Sequence, residues 1–309
     1  VSRFRYWIIA PTALSVALSL PSYSNAQHEW QTPPSRDVAD VERILNATND
    51  AATEPSRDLN IVWVWGVDKN HERGAHEYGW VMDRYVNNLL PQVPGLNAER
   101  AMYFPSPEQW QKADLVVFYL QSPRPWSDDQ YAMVDRFQRR GGGLAFFHLA
   151  LLEGAGSHLA ERIGFAYGTQ DVGKGTTQWG VLPTPVQRTK GGADSAILAG
   201  FDDDIHLVDE HYWNLLGDVD DVTTLLTAPG GPSFASTAAP KPEVLDGKAW
   251  PVAWTKEIGR ARVFATVLGH NYFTFNDPYF RIIALRAFAW TMHESFEPFE
   301  AVVLQDLQR

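Results

Sequence analysis

Nine histidines, no cysteine and an excess of carboxylates over basic residues define the chemistry open to this chain. Without a thiol there is no thiolate nucleophile or thiolate ligand, and proton transfer near neutral pH falls to imidazole. Four groups stand out by position. His148 follows the apolar run Leu144-Ala145-Phe146-Phe147, and His270 follows Leu268-Gly269. His76 lies in the glycine-flanked loop GVDKNHERGAHEYG, and Glu210 in Asp209-Glu210-His211-Tyr212. Gathered at one rim, they would suit acid/base catalysis, since a buried carboxylate can orient or charge an imidazole. His76, His148, His270 and Glu210 would equally suit a divalent metal such as zinc with one open position. Their spacing matches no compact motif such as two histidines a helical turn apart, so both chemistries stay open.

A parallel sheet would gather them. Gly141, Gly142 and Gly143 end a helix expected over 128–140, and the wholly apolar run after them reads as a strand, 143–147, covered on both faces. His148 then stands at the carboxyl end, outside which open α/β sheets bind ligands. Further strands are expected at 60–66, 100–104 and 114–120, with a helix at 77–90 ended by Pro91. Strands separated by helix-sized segments imply βαβ crossovers and a doubly wound, mostly parallel α/β sheet. In the order 2-1-3-4 the loops after strands one and three share a crevice, which brings His71, His76 and Arg124 near His148, while Trp65 reads as core or pocket wall. The second half is richer in β-structure, with strands at 178–186, 211–216, 222–227, 251–255 and 261–268 and a closing helix at 277–292. Residues 189–194 and 228–247 read as surface loops long enough to form a lid. An amphipathic segment at 36–49 reads as a helix packed outside the main fold. The division expected is a signal peptide at 1–26, an N-terminal extension at 27–58, one α/β domain at 59–294 and a tail at 295–309.

Composition excludes other classes. A net charge of −11 with no local basic patch argues against a nucleic-acid partner. Arg3 and Arg5, an apolar run over 7–20, Pro21 and Ser24-Asn25-Ala26 have the layout of a secretory signal cut after Ala26. The run is short for a membrane span, so a periplasmic or secreted protein without a membrane span is expected. The three glycines precede a strand instead of opening a helix, which argues against a dinucleotide cofactor.

These segments resemble the ThuA-like, or trehalose-utilisation, family of the class I glutamine amidotransferase-like superfamily. The resemblance rests on His76-Glu77-Tyr78, the glycine-led strand ending in His148, Asp209-Glu210-His211-Tyr212, and Pro251 with Trp254. It extends through Arg262-Val263-Phe264, Gly269-His270 and the run from Thr274 to Arg281. Two family segments containing histidine are replaced, by Gln178-Trp179-Gly180 and Ser195-Ala196-Ile197. The resemblance implies a flavodoxin-like core and a role in carbohydrate catabolism, on sugars or 3-keto-sugar glycosides. In that setting His148 and His270 would be the base and acid, Glu210 would orient one of them, and His76, Tyr78, Tyr212, Arg124 and Trp65 would hold the sugar. A metal-dependent hydrolase using the same histidines, or a non-catalytic periplasmic sugar-binding protein, are the alternatives. Glutaminase chemistry is excluded because His148 stands where the superfamily keeps its cysteine. Bulky Phe146 and Phe147 before it predict a relaxed strand end rather than a sharp elbow.

Overall fold

The computed structural model describes residues 32–48, 52–67, 74–121, 125–152, 156–168, 177–182, 185–231 and 245–305. Four strands open the fold: β1 (Leu59–Trp65), β2 (Leu96–Met102), β3 (Leu115–Phe118) and β4 (Gly143–Phe147). They pair in parallel in the order β2-β1-β3-β4. Every residue of β3 and β4 is buried, as a strand covered on both faces requires. β2 begins four residues before the expected 100–104. Asn97, Glu99 and Arg100 hide it in the sequence, yet an edge strand tolerates charge, and register with β1 (Leu59 opposite Leu96) defines it.

The remaining strands are β5 (Phe165–Ala166), β6 (Gln178–Val181), β7 (Val186–Arg188), β8 (Asp204–Ile205), β9 (Glu210–Trp213), β10 (Leu216–Gly217), β11 (Thr223–Ala228), β12 (Trp250–Ile258) and β13 (Ala261–Thr266). β13 joins β4 in parallel, and β12, β11, β7 and β8 extend the sheet antiparallel to nine strands. β6 and β9 form a separate antiparallel ribbon, and β5 pairs with β10. The expected strand 178–186 is therefore two strands in different sheets, β6 and β7. The expected strand 211–216 likewise breaks between β9 and β10, where Asn214 takes a left-handed φ of 59°.

The helices are α1 (Val38–Leu45), α2 (Tyr78–Arg84), α3 (Pro107–Lys112), α4 (Asp128–Arg139), α5 (Gly156–Ile163), α6 (Lys190–Asp194), α7 (Pro278–Thr291) and α8 (Glu297–Glu300). α2 continues through a π-helical turn over Tyr85–Leu89, accounting for most of the expected 77–90 helix. Ser106 and Ser127 close capping boxes with Gln109 and Gln130 at the starts of α3 and α4. Residues 190–194, expected as loop, are the helical turn α6, started by the Thr189 side chain accepting from Gly192 N–H. Of the expected loop 228–247, residues 232–244 lie outside the described residues.

α7 is buried around nearly its whole circumference and carries two buried arginines. Arg286 donates to the carbonyls of Ala199 (2.6 Å) and Ile44 (2.7 Å) and pairs with Glu300; Arg281 donates to those of Val303 (2.9 Å) and Gln305 (2.7 Å). Carbonyls and one carboxylate thus satisfy two guanidiniums that would be costly if unpaired. They tie α1 and the segment around α8 to the sheet, and Val41, Ile44, Phe299 and Val303 belong to the common core. No described helix is long and apolar enough to cross a membrane.

Candidate functional site

The strand β4 delivers His148 at its carboxyl end, and the chain turns at once. His148 has φ of 54° and begins a 3-10 turn over His148–Leu152. A side chain with this backbone costs about 1–3 kcal/mol, a strain that concentrates at functional positions. The relaxed strand end expected from the sequence is thus overturned: this is a sharp strand-to-helix turn that lifts one side chain above the sheet edge. Phe146 and Phe147 do not obstruct it, because they leave on opposite faces of the sheet. Phe146 stacks on Phe118 with centroids 4.7 Å apart, and Phe147 packs against Phe275 and Phe288.

Three further elements converge on this imidazole. The loop after β1 brings His76, also at positive φ (52°), with Nε2 3.0 Å from His148 Nε2. The turn after β13 brings His270, whose Nδ1 is 3.2 Å from the same atom. The ribbon strand β9 brings Tyr212, with its hydroxyl at 2.8 Å, and Glu210, with Oε2 3.4 Å from His148 Nε2 and 3.5 Å from His270 Nδ1. His148 is fully buried, and His76, His270 and Glu210 are each at most 7% exposed.

His148 Nδ1–H donates to the Val267 carbonyl at 2.9 Å, which turns the lone pair of the neutral ring at Nε2 toward the cluster. One lone pair then faces three polar groups within 3.2 Å, more than a single acceptor can serve. A cation shared by the imidazoles would resolve that crowding. A tetrahedral ion bound at about 2.0–2.1 Å holds its ligands about 3.3 Å apart. Here the nitrogen separations are 3.0 and 3.2 Å and the carboxylate oxygen lies at 3.4 and 3.5 Å. The ligand atoms of His76, His148 and His270 all lie within 4.8 Å of one another, so this donor set fits a divalent ion of the zinc type.

A second layer holds the three histidines in place. Asp209, completely buried, accepts from the backbone N–H of Gly269 (2.6 Å), Glu210 (2.9 Å), His270 (3.1 Å) and Asn271 (3.4 Å). It therefore sets the turn that carries His270. Tyr119, at the end of β3, donates its hydroxyl to the Gly269 carbonyl at 2.6 Å. The His76 N–H donates to the His270 carbonyl at 2.8 Å, and Tyr272 N–H to Gly74, which joins the two histidine loops edge to edge. Tyr78 stacks on His76 with centroids 5.4 Å apart.

Burial controls the charges. Desolvation, then the charge of Asp209, pushes Glu210 up to about 8, so this carboxyl carries a proton at neutral pH. Desolvation raises Asp209 to about 6 against the opposing pull of its backbone donors. Burial holds the Tyr119 and Tyr212 hydroxyls well above the ordinary phenol range, and both stay donors. On the other face of β9, burial pushes His211 down to about 3, which keeps that imidazole neutral.

Of the residues singled out in the sequence, His76, Tyr78, His148, Glu210, Tyr212 and His270 come together. Trp65 packs against Gly79 at the start of α2, and His71 and Arg124 lie outside the described residues. Asp209 and Tyr119 were missed as positioning groups. Tyr119 ends the third strand beside the expected crevice, which was its available signal. Asp209 could not be recognised without the turn it caps.

A family model described as ThuA, trehalose utilisation, matches residues 61–291. The chain belongs to the ThuA family. Two solved ThuA-like proteins are similar to it. One, from Bacteroides uniformis, is 14% identical with a TM-score of 0.53, over 78% of this chain and 94% of its own. Another, from Parabacteroides merdae, is 15% identical with a TM-score of 0.53, over 76% of this chain and 90% of its own. At that identity the likeness establishes the shared α/β fold. No curated protein matches this ThuA-family chain.

Proposed function

We propose that this ThuA-family chain is an exported carbohydrate-processing enzyme that cleaves or rearranges a sugar or 3-keto-sugar glycoside at the His76, His148, His270 and Glu210 cluster. The observation that carries this reading is the meeting of three imidazoles and a buried carboxyl at one nitrogen of His148, at the carboxyl edge of the sheet. The family's description supports carbohydrate as the substrate class, and the N-terminal sequence supports export.

Two divisions of labour are open to these groups. In one, His148 and His270 exchange a proton directly with the substrate, with Glu210 orienting them. In the other, the three imidazoles hold a divalent ion, and the spacing of their ligand atoms favours this arrangement. Such an ion, when bound, supplies Lewis acidity to a carbonyl or hydroxyl oxygen and lowers the pKa of a bound water. In the arrangement without an ion, burial pushes Glu210 up to about 8, so its carboxyl 3.4 Å from His148 Nε2 holds a proton that it can deliver to a departing glycosidic oxygen. Tyr212, its hydroxyl 2.8 Å from His148 Nε2, helps to hold that ring in place. Val267 and Asp209 fix the directions of His148 and His270, so little reorganisation is needed when substrate enters.

The test is turnover. Purified protein is incubated with trehalose, other glucosides and their 3-keto derivatives, and products are followed by chromatography, with His148→Ala in parallel. Product formation that depends on His148 supports the proposal. Undiminished turnover in His148→Ala, or sugar binding without product for every substrate, contradicts it.

A further inference from the structure

The ribbon of β6 and β9 carries more than Glu210 and Tyr212. Its register sets Trp179 opposite Tyr212 and Val181 opposite Glu210. Directly opposed residues of an antiparallel pair project from the same face. Trp179 therefore shares the face that covers the histidine cluster, since Tyr212 stacks on His148 with centroids 4.7 Å apart and planes 24° from parallel. Tyr167 lies between: its ring meets Tyr212 at 5.4 Å and Trp179 at 6.5 Å. An aromatic row thus leads from the reaction centre outward, through Tyr212 and Tyr167 to Trp179.

The outer end of this row is open to solvent. Trp179 is 37% exposed, and among the described tryptophans it alone is exposed. The chain leading to it is tied to its neighbours. Tyr167 N–H donates to the Leu151 carbonyl at 2.8 Å, in the turn that follows His148. Gly168 and Thr177 are tied by two hydrogen bonds, N–H to Oγ1 at 2.8 Å and N–H to carbonyl at 3.0 Å. Thr177 also donates to the Asn214 carbonyl at 3.2 Å, just beyond β9. An exposed indole on a paired ribbon beside a reaction centre is placed to cover an apolar sugar face.

We propose that Trp179 and Tyr167 form a second sugar subsite, so that the substrate is a glycoside of at least two rings. The reacting ring is held at the edge of the histidine cluster and its neighbour stacks on Trp179. This deepens the proposed function and rests on it. The donors and acceptors at the cluster are served by the ring under attack, and the aromatic row adds affinity through the second ring alone. A monosaccharide reaches the cluster and leaves the indole uncovered.

The experiment uses the inactive but folded His148→Ala protein to prevent turnover and follows binding by calorimetry. The probes are maltose, cellobiose and their 3-keto derivatives against glucose and 3-keto-glucose. The same titrations are made with Trp179→Ala and Trp179→Phe added. The subsite predicts that a disaccharide binds more tightly than its monosaccharide, and that Trp179→Ala removes about tenfold of that margin with monosaccharide binding unchanged. Trp179→Phe restores part of it. Equal affinity for one and two rings, or a margin that survives Trp179→Ala, overturns the subsite and leaves the proposed function standing. Failure of every sugar to bind, in this protein and in the parent with His148, overturns both.

Discussion

Replacing Asp209 by Asn separates the positioning of His270 from the stability of the fold. The folded carboxyl sits near 6 against an ordinary 3.8, so burying its charge costs about 3 kcal/mol at pH 7. The sign follows from the direction of the shift. A raised carboxyl destabilises the fold above its folded pKa, and this cost disappears as pH falls from 6 toward 3.8. Asn removes the cost but turns an N–H toward the Gly269 N–H, where Oδ2 now accepts at 2.6 Å, and leaving that buried donor unsatisfied costs about 1–3 kcal/mol. The two effects largely cancel, so Asp209→Asn should unfold within about 2 kcal/mol of the parent at pH 7. It should also lose stability relative to the parent on acidification, since only the parent sheds its charge. The Gly269 turn, released at one anchor, should no longer aim His270, lowering divalent-cation affinity about 10- to 100-fold. Denaturation at pH 7 and pH 5 and titration with zinc measure both quantities. Unchanged zinc affinity, or a loss of several kcal/mol at pH 7, would refute the reasoning.

The other predictions concern separate parts of the molecule. His211, held near 3 by burial against an ordinary 6.5, stabilises the fold only while neutral, so its contribution is present above pH 6.5 and is lost as pH falls toward 3. His211→Leu should therefore gain about 2 kcal/mol of stability relative to the parent between pH 7 and pH 5; a constant difference in paired urea titrations would contradict this. Ser127→Ala should cost about 1 kcal/mol by opening the capping box of α4 and leave zinc affinity unchanged. Thermal denaturation and zinc titration check the two halves. Arg286→Met, which leaves Glu300 buried without its partner, should cost about 3–5 kcal/mol and loosen α1 and the segment after residue 294 together, read by hydrogen exchange.

The core was legible in the sequence where local signals agree with the final environment. β4 is an apolar run between glycines and a histidine, and the order β2-β1-β3-β4 follows from alternating strands and helices. β2 was misplaced because its polar residues are acceptable only at a sheet edge, a fact of tertiary position. The split of 178–186 into β6 and β7 was hidden because both halves favour β-structure and their separation depends on distant partners. The cluster was legible as residue types at strand ends, whereas its geometry was not. The positive φ of His148 ran against the bulk of Phe146 and Phe147, and only the layers on either side of the sheet explain how both are accommodated. Trp179 read as nothing more than a departure from a family motif until its register with Tyr212 was known.

The spacing of His76, His148 and His270, beside Glu210, favours a divalent ion at the proposed reaction centre. Elemental analysis of folded protein purified without chelators tests it most directly, with His148→Ala and His76→Ala prepared alongside. The account predicts about one divalent ion per chain in the parent and loss of that ion in both variants, each still folded by circular dichroism. A folded parent that takes up no stoichiometric ion even when zinc or manganese is supplied, or variants that retain the ion, would contradict it.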